Sequence, residues 1–124
     1  MTTLIVPGLN DMRAEVEGIS SFLSGVSPDI PLHLSAYRPA WKHRAPATDP
    51  GRLRELASIA GASLRYVYVG NVAGEGADTR CPGCGALVIE RRGYAVELRG
   101  LAVEAKGRFG RCAVCGARLP VTLA

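Results

Sequence analysis

Short apolar runs and amphipathic stretches alternate along the first seventy residues of the chain. Residues 2–6 form a β-branched apolar run that Pro7 and Gly8 end, a pattern typical of a buried strand followed by a tight turn. From Met12 onward, apolar residues recur at intervals of three and four, which predicts an amphipathic helix that stops by Gly25 and Pro28. The predicted buried face of this helix contains Val16, Ile19, Phe22 and Leu23.

The same order of strand and helix then repeats. Residues 32–36 form a second short apolar run, and residues 64–69 form a third in which Tyr and Val alternate. Between them, Thr48 or Asp49 is suited to cap a helix with Pro50 in its first turn. Its predicted buried stripe is Leu53, Leu56, Ala57 and Ala60. Strands that alternate with helices favour right-handed crossovers, so the sequence predicts an α/β unit with a three-stranded parallel sheet.

The segments between these elements predict loops and a domain boundary. Residues 41–50 contain helix breakers, and we interpret Trp41, Lys42 and His43 as part of a solvated connection. His33, on the second strand, is interpreted as a packed or rim histidine and not as a ligand. The glycine-rich residues 70–76 mark a boundary. We therefore predict a sheet domain over 1–72, a linker over 73–80 and a separate domain over 81–124.

All four cysteines lie in the last of these segments, in two motifs of identical spacing. The motifs are CPGCG, with Cys81 and Cys84, and CAVCG, with Cys112 and Cys115. Two residues between thiolates let one turn direct both sulfurs at one ion, and the glycine that follows permits a left-handed backbone. Four thiolates favour zinc and leave no open coordination position, so the predicted metal is structural. Strands predicted over 86–90 and 94–98 complete a zinc ribbon, which is too small to fold without its metal.

Other states of the cysteines are compatible with the same spacing. Iron in this site would give a rubredoxin-like electron-transfer protein, which would be coloured. Two disulfides, or unligated buried thiols, are the alternatives to a metal. The chain shows no secretory signal and no apolar run long enough to span a bilayer, so we expect a cytoplasmic protein with reduced thiols.

Length and charge narrow the range of functions. A chain of 124 residues is too short for a complete large barrel enzyme. Residues 80–124 carry eight basic and three acidic side chains. This excess of positive charge supports one hypothesis for the function, a stand-alone basic zinc ribbon that binds nucleic acid or protein. Only Tyr94 and Phe109 are available there for stacking. The phosphate-binding face of such a ribbon would consist of Arg91, Arg92, Arg99, Lys106, Arg108, Arg111 and Arg118.

Four motifs, taken in order, resemble a known family. They are TTLIVPGLND at 2–11, HLSAYRP at 33–39, LRYVYVGNV at 64–72, and CPGCG followed by IERRGY at 81–94. Together they are similar to the C-terminal third of the AmmeMemoRadiSam-system radical SAM enzymes, which resemble pyruvate formate-lyase activating enzyme. The resemblance covers essentially the whole chain. It implies that 1–72 is a segment of a partial (β/α) barrel and that 81–124 is the ribbon appended to it.

The resemblance also implies candidate contacts to S-adenosylmethionine. Asn10 and Asp11 match the family's Pro-Gly-x-Asn-Asp turn at the carboxyl end of a strand. Arg38 stands where relatives commonly carry a histidine near the nucleoside, so this chain departs from the family there. From the residues alone, Asn10 and Asp11 are equally suited to cap the helix that follows them.

The family's cluster motif, CxxxCxxC, does not occur in this sequence. In the complete family enzyme, that motif holds a four-iron, four-sulfur cluster that reductively cleaves S-adenosylmethionine. We therefore expect the chain to be a C-terminal portion that is inactive without a cluster-binding half, which leaves its status as an enzyme open. Because the strand at 2–6 would lack a neighbour, we expect a partner chain or region that completes the barrel, or self-association.

Overall fold

A computed structural model describes residues 1–72, 77–103 and 109–122 of the chain. The chain divides into two compact units, which comprise residues 1–75 and residues 76–124. No helix within the described ranges is long and apolar enough to cross a membrane.

A parallel sheet and two helices form the first unit. In chain order the elements are β1 (Thr2–Ile5), α1 (Arg13–Val26), β2 (Leu32–Ala36), α2 (Pro50–Gly61) and β3 (Val67–Gly70). β2 lies between β1 and β3, and both pairs are parallel. The predicted three-stranded parallel sheet with alternating helices is confirmed. β3 begins later than predicted, at Val67, and Leu64 and Tyr66 are buried in the segment that precedes it.

Both helices cover the same face of this sheet. Leu32, Leu34 and Ala36 alternate along β2 and are buried, whereas His33 between them is exposed. The buried cluster joins this face to α1 and α2, and contains Ile5, Val16, Leu23, Leu32, Leu34, Ala36, Leu53, Leu56, Ala60 and Leu64. The sheet's second face therefore carries the alternate residues of each strand, such as Leu4, His33 and Tyr68.

One predicted core position of α1 is wrong. The helix buries Val16, Ser20 and Leu23, but Phe22 is 73% exposed. At about 100° of rotation per residue, Phe22 lies roughly a third of a turn away from the centre of that stripe. Ser20 occupies the buried position because its hydroxyl donates to the Val16 carbonyl oxygen at 2.8 Å, which satisfies it inside the core.

The predicted capping roles are resolved differently at the two helices. Asp49 caps α2, since its Oδ2 accepts from the Arg52 N–H at 2.9 Å. Thr48 instead lies buried, and its hydroxyl donates to the Ile5 carbonyl oxygen at 2.6 Å. The interpretation of Asn10 and Asp11 as caps of α1 is wrong, because the N-cap residue is Met12 and no side chain caps that end.

Two antiparallel sheets form the described part of the second unit. One contains β4 (Thr79–Arg80), β5 (Leu87–Arg92) and β6 (Ala95–Leu98), and the other contains β7 (Leu101–Val103), β8 (Phe109–Cys112) and β9 (Arg118–Thr122). β5 and β6 confirm the strands predicted over 86–90 and 94–98. Of the linker predicted over 73–80, residues 73–76 lie outside the described residues, and residues 79 and 80 form β4.

Candidate metal centre

The four cysteine sulfurs of the second unit converge on one point. All four Sγ atoms lie within 4.8 Å of one another. Two of the separations are 3.6 Å, between Cys81 and Cys115 and between Cys84 and Cys112. A zinc–sulfur bond of about 2.3 Å in a tetrahedron places ligand sulfurs about 3.8 Å apart, so this spacing suits a tetrahedral metal ion. The four thiols are free, and within the described ranges they form the one group of three or more clustered metal-ligating side chains.

The two knuckles are built in the same way from the backbone. Each lies between two strands, β4 and β5 or β8 and β9. The Gly85 N–H donates to the Cys81 carbonyl oxygen at 2.8 Å, and the Gly116 N–H donates to that of Cys112 at 2.9 Å. Both glycines have positive φ, +75° and +74°, which a side chain would strain. The glycine after each CxxC therefore has the conformational role that the sequence predicted.

Burial is divided unequally between the two cysteines of each knuckle. Cys81 and Cys112, the first of each pair, are 2% exposed, whereas Cys84 and Cys115 are exposed. The buried pair packs with Val88, Ile89 and Leu119 in the unit's small core. Two of the four candidate metal ligands are thus also part of the hydrophobic core, and the centre has one side toward the core and one toward the surface.

Two arginines support the knuckles, a role that the sequence analysis missed for both. The Nη1 of Arg80 donates to the Gly85 carbonyl oxygen at 3.3 Å, and the Nη1 of Arg111 donates to that of Gly116 at 3.1 Å. The sequence does contain a signal for this role, because an arginine precedes both CxxC motifs in the shared pattern Arg-Cys-x-x-Cys-Gly-Ala. Four thiolates around a divalent ion carry a net charge of about −2, so a guanidinium beside each knuckle also balances charge.

The metal-free thiols differ sharply in acidity. Hydrogen bonds from the backbone N–H groups of Cys115 and Val114 lower the pKa of Cys112 to about 6. The backbone N–H of Ala86 acts to lower the pKa of Cys84, but burial and hydrogen bonds with the other three thiols outweigh it and raise that pKa to about 12. Four thiolates without a cation would repel one another, and a divalent ion bound among them would allow all four to ionise.

The described part of the proposed phosphate-binding face is engaged internally. Arg92 and Arg99 both pair with Glu90, at 2.6 and 2.8 Å, and their hydrogen bonds lower the pKa of that carboxyl. Arg91 donates to the Ala77 carbonyl oxygen and the Thr79 hydroxyl, both at 2.7 Å, and Arg118 lies over the Phe109 ring. Lys106 and Arg108 lie outside the described residues. These contacts give no support to a dedicated nucleic-acid face on the ribbon.

In the first unit, the candidate cofactor contacts lie where the strands end. The amide of Asn10 is used within its own turn, accepting from the Val6 N–H at 2.7 Å and donating to the Leu4 carbonyl oxygen at 2.8 Å. Asp11 accepts from the Gly8 N–H at 3.0 Å. The predicted residues Asn10 and Asp11 therefore organise the Pro7–Gly8 turn, a role that the sequence analysis missed.

Arg38 follows β2 at the same edge of the sheet. Its Nη2 donates to the Asn71 carbonyl oxygen at 3.4 Å, and Asn71 donates from its side chain to the Ala36 carbonyl oxygen at 2.8 Å. Asn71, which follows β3 with a φ of +61°, was not singled out from the sequence. His33 is exposed and stacks on Tyr68 of the neighbouring strand, with ring centroids 4.9 Å apart.

Comparison with known proteins finds one relative to report. The chain is 37% identical over 127 aligned positions to the uncharacterized protein MJ0808 of Methanocaldococcus jannaschii. The match covers 99% of this chain but only 37% of that protein, so the chain spans little more than a third of the relative's length. No family model matches the chain. No solved structure matches it either.

Proposed function

We propose that the chain is the C-terminal portion of a radical S-adenosylmethionine protein of the pyruvate formate-lyase activating type. In this proposal the first unit supplies the last strands and helices of a partial (β/α) barrel, and the second unit is a zinc ribbon with a purely structural metal. Reductive cleavage of S-adenosylmethionine would depend on a cluster held by other residues, because all four cysteines of this chain converge on the ribbon site. The chain would be inactive without that cluster-binding half.

The arrangement of the first unit is the observation that carries the barrel proposal. Its strands follow one another in the order β1, β2, β3, with both helices on one face. A doubly wound sheet reverses its strand order and places helices on both faces, whereas a (β/α) barrel keeps sequential order with its helices outside. On this interpretation Leu4, His33 and Tyr68 point into the barrel.

A surface at the β1 side supports continuation of the barrel. Within the described ranges β1 pairs with β2 alone. On its other edge the Asn10 amide already binds the Leu4 carbonyl oxygen and the Val6 N–H, so a further strand would pair with the first residues of β1. Beside that edge, Met1, Ala14, Gly18, Ile19 and Phe22 line an open groove. The small Ala14 and Gly18 would let another helix approach α1 closely, and the exposed Phe22 would be covered by it.

We propose that an earlier strand–helix unit of the barrel, in a longer polypeptide or a partner chain, occupies this edge. A strand and helix added before β1 and α1 would repeat the spacing of α1 against α2. The length of MJ0808, of which this chain matches 37%, is consistent with such additional units. Self-association through the same edge is the alternative.

Asn10, Asp11 and Arg38 are proposed to contribute to the S-adenosylmethionine side of the barrel. They follow β1 and β2, whose carboxyl ends meet at one edge because the strands are parallel. Asn10 and Asp11 would act by fixing the shape of the turn, since their side chains bond within it. Arg38 is exposed and is the member of the set that would reach a ligand.

The proposal can be tested on sequence and by activity. We expect a CxxxCxxC motif in the part of MJ0808 outside the match, and in any polypeptide that natively completes this chain. The chain alone, reconstituted anaerobically with iron and sulfide, should yield no 5′-deoxyadenosine from S-adenosylmethionine, whereas the chain together with its cluster-binding half should yield it. The absence of the motif from MJ0808, or 5′-deoxyadenosine formed by the chain alone, would contradict the proposal.

A further inference from the structure

The loop between β2 and α2 displays the only tryptophan of the chain. Trp41 is 93% exposed, although large aromatic side chains are usually packed in folded proteins. Its φ is +53°, a left-handed conformation that residues other than glycine adopt rarely and at an energetic cost. Residues held in such a strained backbone conformation cluster at ligand-binding and other functional positions.

Hydrogen bonds brace this loop at its base and near its tip. At the base, the Thr48 N–H donates to the Tyr37 carbonyl oxygen at 3.0 Å, and the Tyr37 N–H donates to the Thr48 hydroxyl at 2.8 Å. Near the tip, the Tyr37 hydroxyl hydrogen-bonds the Nδ1 of His43 at 3.1 Å, and the His43 N–H closes a turn onto Ala40 at 3.2 Å. Such a loop with closely held ends presents its tip in a fixed form.

The loop is also a local concentration of positive charge. Arg38, Lys42 and Arg44 flank Trp41, and no Asp or Glu occurs between residues 30 and 48. The Lys42 Nζ lies 5.7 Å from the centre of the Trp41 ring. Across the described ranges of the chain, no salt bridge to a carboxylate involves Lys42 or Arg44. The cations are therefore available to an external anion.

We propose that residues 38–44 bind a nucleobase joined to a phosphate, with Trp41 stacking on the base and Lys42 and Arg44 contacting the phosphate. Every base offers a flat face to an aromatic ring, and ammonium and guanidinium groups are strong phosphate donors. The loop follows a strand at the carboxyl edge of a parallel sheet, where ligands of such folds bind. The proposal does not rest on the barrel proposal, since S-adenosylmethionine carries no phosphate.

The same chemistry occurs in free nucleotides and in single-stranded nucleic acid, and fluorescence of the full chain can separate the two. Because Trp41 is the only tryptophan, its emission reports on this loop alone. We expect saturable quenching by adenosine monophosphate or by a short oligothymidylate, with adenosine and inorganic phosphate each binding at least about tenfold more weakly than the monophosphate. An oligonucleotide that binds at least tenfold more tightly than the mononucleotide identifies the polymer as the source. Comparable affinities identify the free nucleotide.

Several outcomes would overturn the proposal. Absence of saturable quenching at millimolar nucleotide and oligonucleotide would do so. Adenosine as effective as its monophosphate would remove the phosphate contact, and inorganic phosphate as effective would remove the stacking contact.

Variants test the two contacts separately. Lys42→Gln with Arg44→Gln should weaken binding about tenfold at low salt and flatten its salt dependence, while Trp41 still reports. Trp41→Ala should weaken binding of a labelled oligonucleotide or nucleotide by about tenfold, measured by anisotropy. Arg13→Gln and Val26→Ala are matched controls, because both side chains are exposed on α1 outside the loop. Equal affinities across loop variants and controls, with unchanged circular dichroism, would contradict the assignment.

Discussion

The two units of this chain depend on different sources of stability. The first unit buries a continuous apolar cluster, in which Ile5, Leu32, Leu34, Leu53 and Leu56 are fully buried. In the described part of the second unit, the buried cluster has five members and two of them are Cys81 and Cys112. The first unit can therefore be held by hydrophobic burial, whereas we propose that the second is held by a metal that joins its cysteines.

The two units also differ in how their stability is distributed among side chains. In the first unit, stability is spread over many side chains, and any one of them contributes a modest part. In the second unit we expect stability to be concentrated in four sulfur atoms. Desolvation and hydrogen bonds with the other three thiols raise the pKa of Cys84, so this thiol keeps its proton until a cation binds. A change at a single atom should therefore affect the second unit more than any single change affects the first.

Removal of the metal is expected to have the largest effect. A chelator, or Cys84→Ser, should unfold the second unit while the helical circular dichroism of α1 and α2 remains, because apparent binding free energies of structural zinc are about 10–16 kcal/mol. Amide exchange of β5, β8 and β9 should rise sharply. Val114→Ser is the matched control, since Val114 lies between two ligands but is 72% exposed. If the amides of these strands stay protected after complete removal of the metal, the proposed difference in stability between the two units would be wrong.

The reciprocal change is Leu56→Ala in the first unit. Leu56 is fully buried, so the variant should lose about 2–5 kcal/mol of the unfolding free energy of the first unit, measured by helical circular dichroism in urea. Zinc content should stay the same, because the second unit has its own core. Leu9→Ala, at a position 66% exposed, is the control and should change stability little. Loss of zinc in the Leu56 variant at native conditions would show that the units do not fold separately.

Metal affinity of the second unit should fall as the pH falls. At pH 7 the metal-free Cys112, with a pKa of about 6, is mostly thiolate, whereas Cys84, with a pKa of about 12, keeps its proton. Zinc must displace at least that proton, so its affinity should drop at least about tenfold for each decrease of one in pH from pH 8 to pH 6. Competition with a chromophoric chelator measures this slope. An affinity independent of pH in this range would contradict the assigned protonation states.

Thr48→Ala should have the smallest effect of these changes. Its hydroxyl joins the end of β1 to the start of the loop, donating to the Ile5 carbonyl oxygen and accepting from the Tyr37 N–H. Loss of the hydroxyl should cost the first unit about 1–3 kcal/mol, because buried backbone groups lose their partner. Thr48→Ser keeps the hydroxyl and should recover most of the loss in urea unfolding. Equal stability of the alanine variant and the parent would show that the bridge does not stabilise the unit.

Features set by nearby residues were predictable from the sequence. The CxxC spacing and the glycine after it determine the knuckle, so the convergence of Cys81, Cys84, Cys112 and Cys115 could be predicted, and the bounds of β2 and α2 followed from their patterns. Phe22 could not be placed, because its spacing of three residues from Ile19 also fits the buried stripe, and only the packing of α1 against the sheet shows that it is exposed. The Arg80 and Arg111 contacts required the structure, since many arginines at such positions face solvent.

The roles of short polar side chains were the hardest to predict. Asn and Asp are residue types that often cap helices. Here, however, Asn10 bonds the Leu4 carbonyl oxygen and the Val6 N–H, and Asp11 bonds the Gly8 N–H, all around the Pro7–Gly8 turn. Thr48 and Asp49 were equivalent candidates until the position of Ile5 was known. Local sequence states which side chains can bond to the backbone, whereas the tertiary fold decides which backbone group they reach.

The most direct test of this account is the metal content of the intact chain, purified without exposure to chelators. Native mass spectrometry and elemental analysis should find about one zinc per chain in the parent and far less in Cys84→Ser. In both proteins, the helical signal of the first unit should be the same. Less than a tenth of an equivalent of any metal in a parent chain whose second unit is nevertheless folded would contradict the claim that a metal holds this unit together.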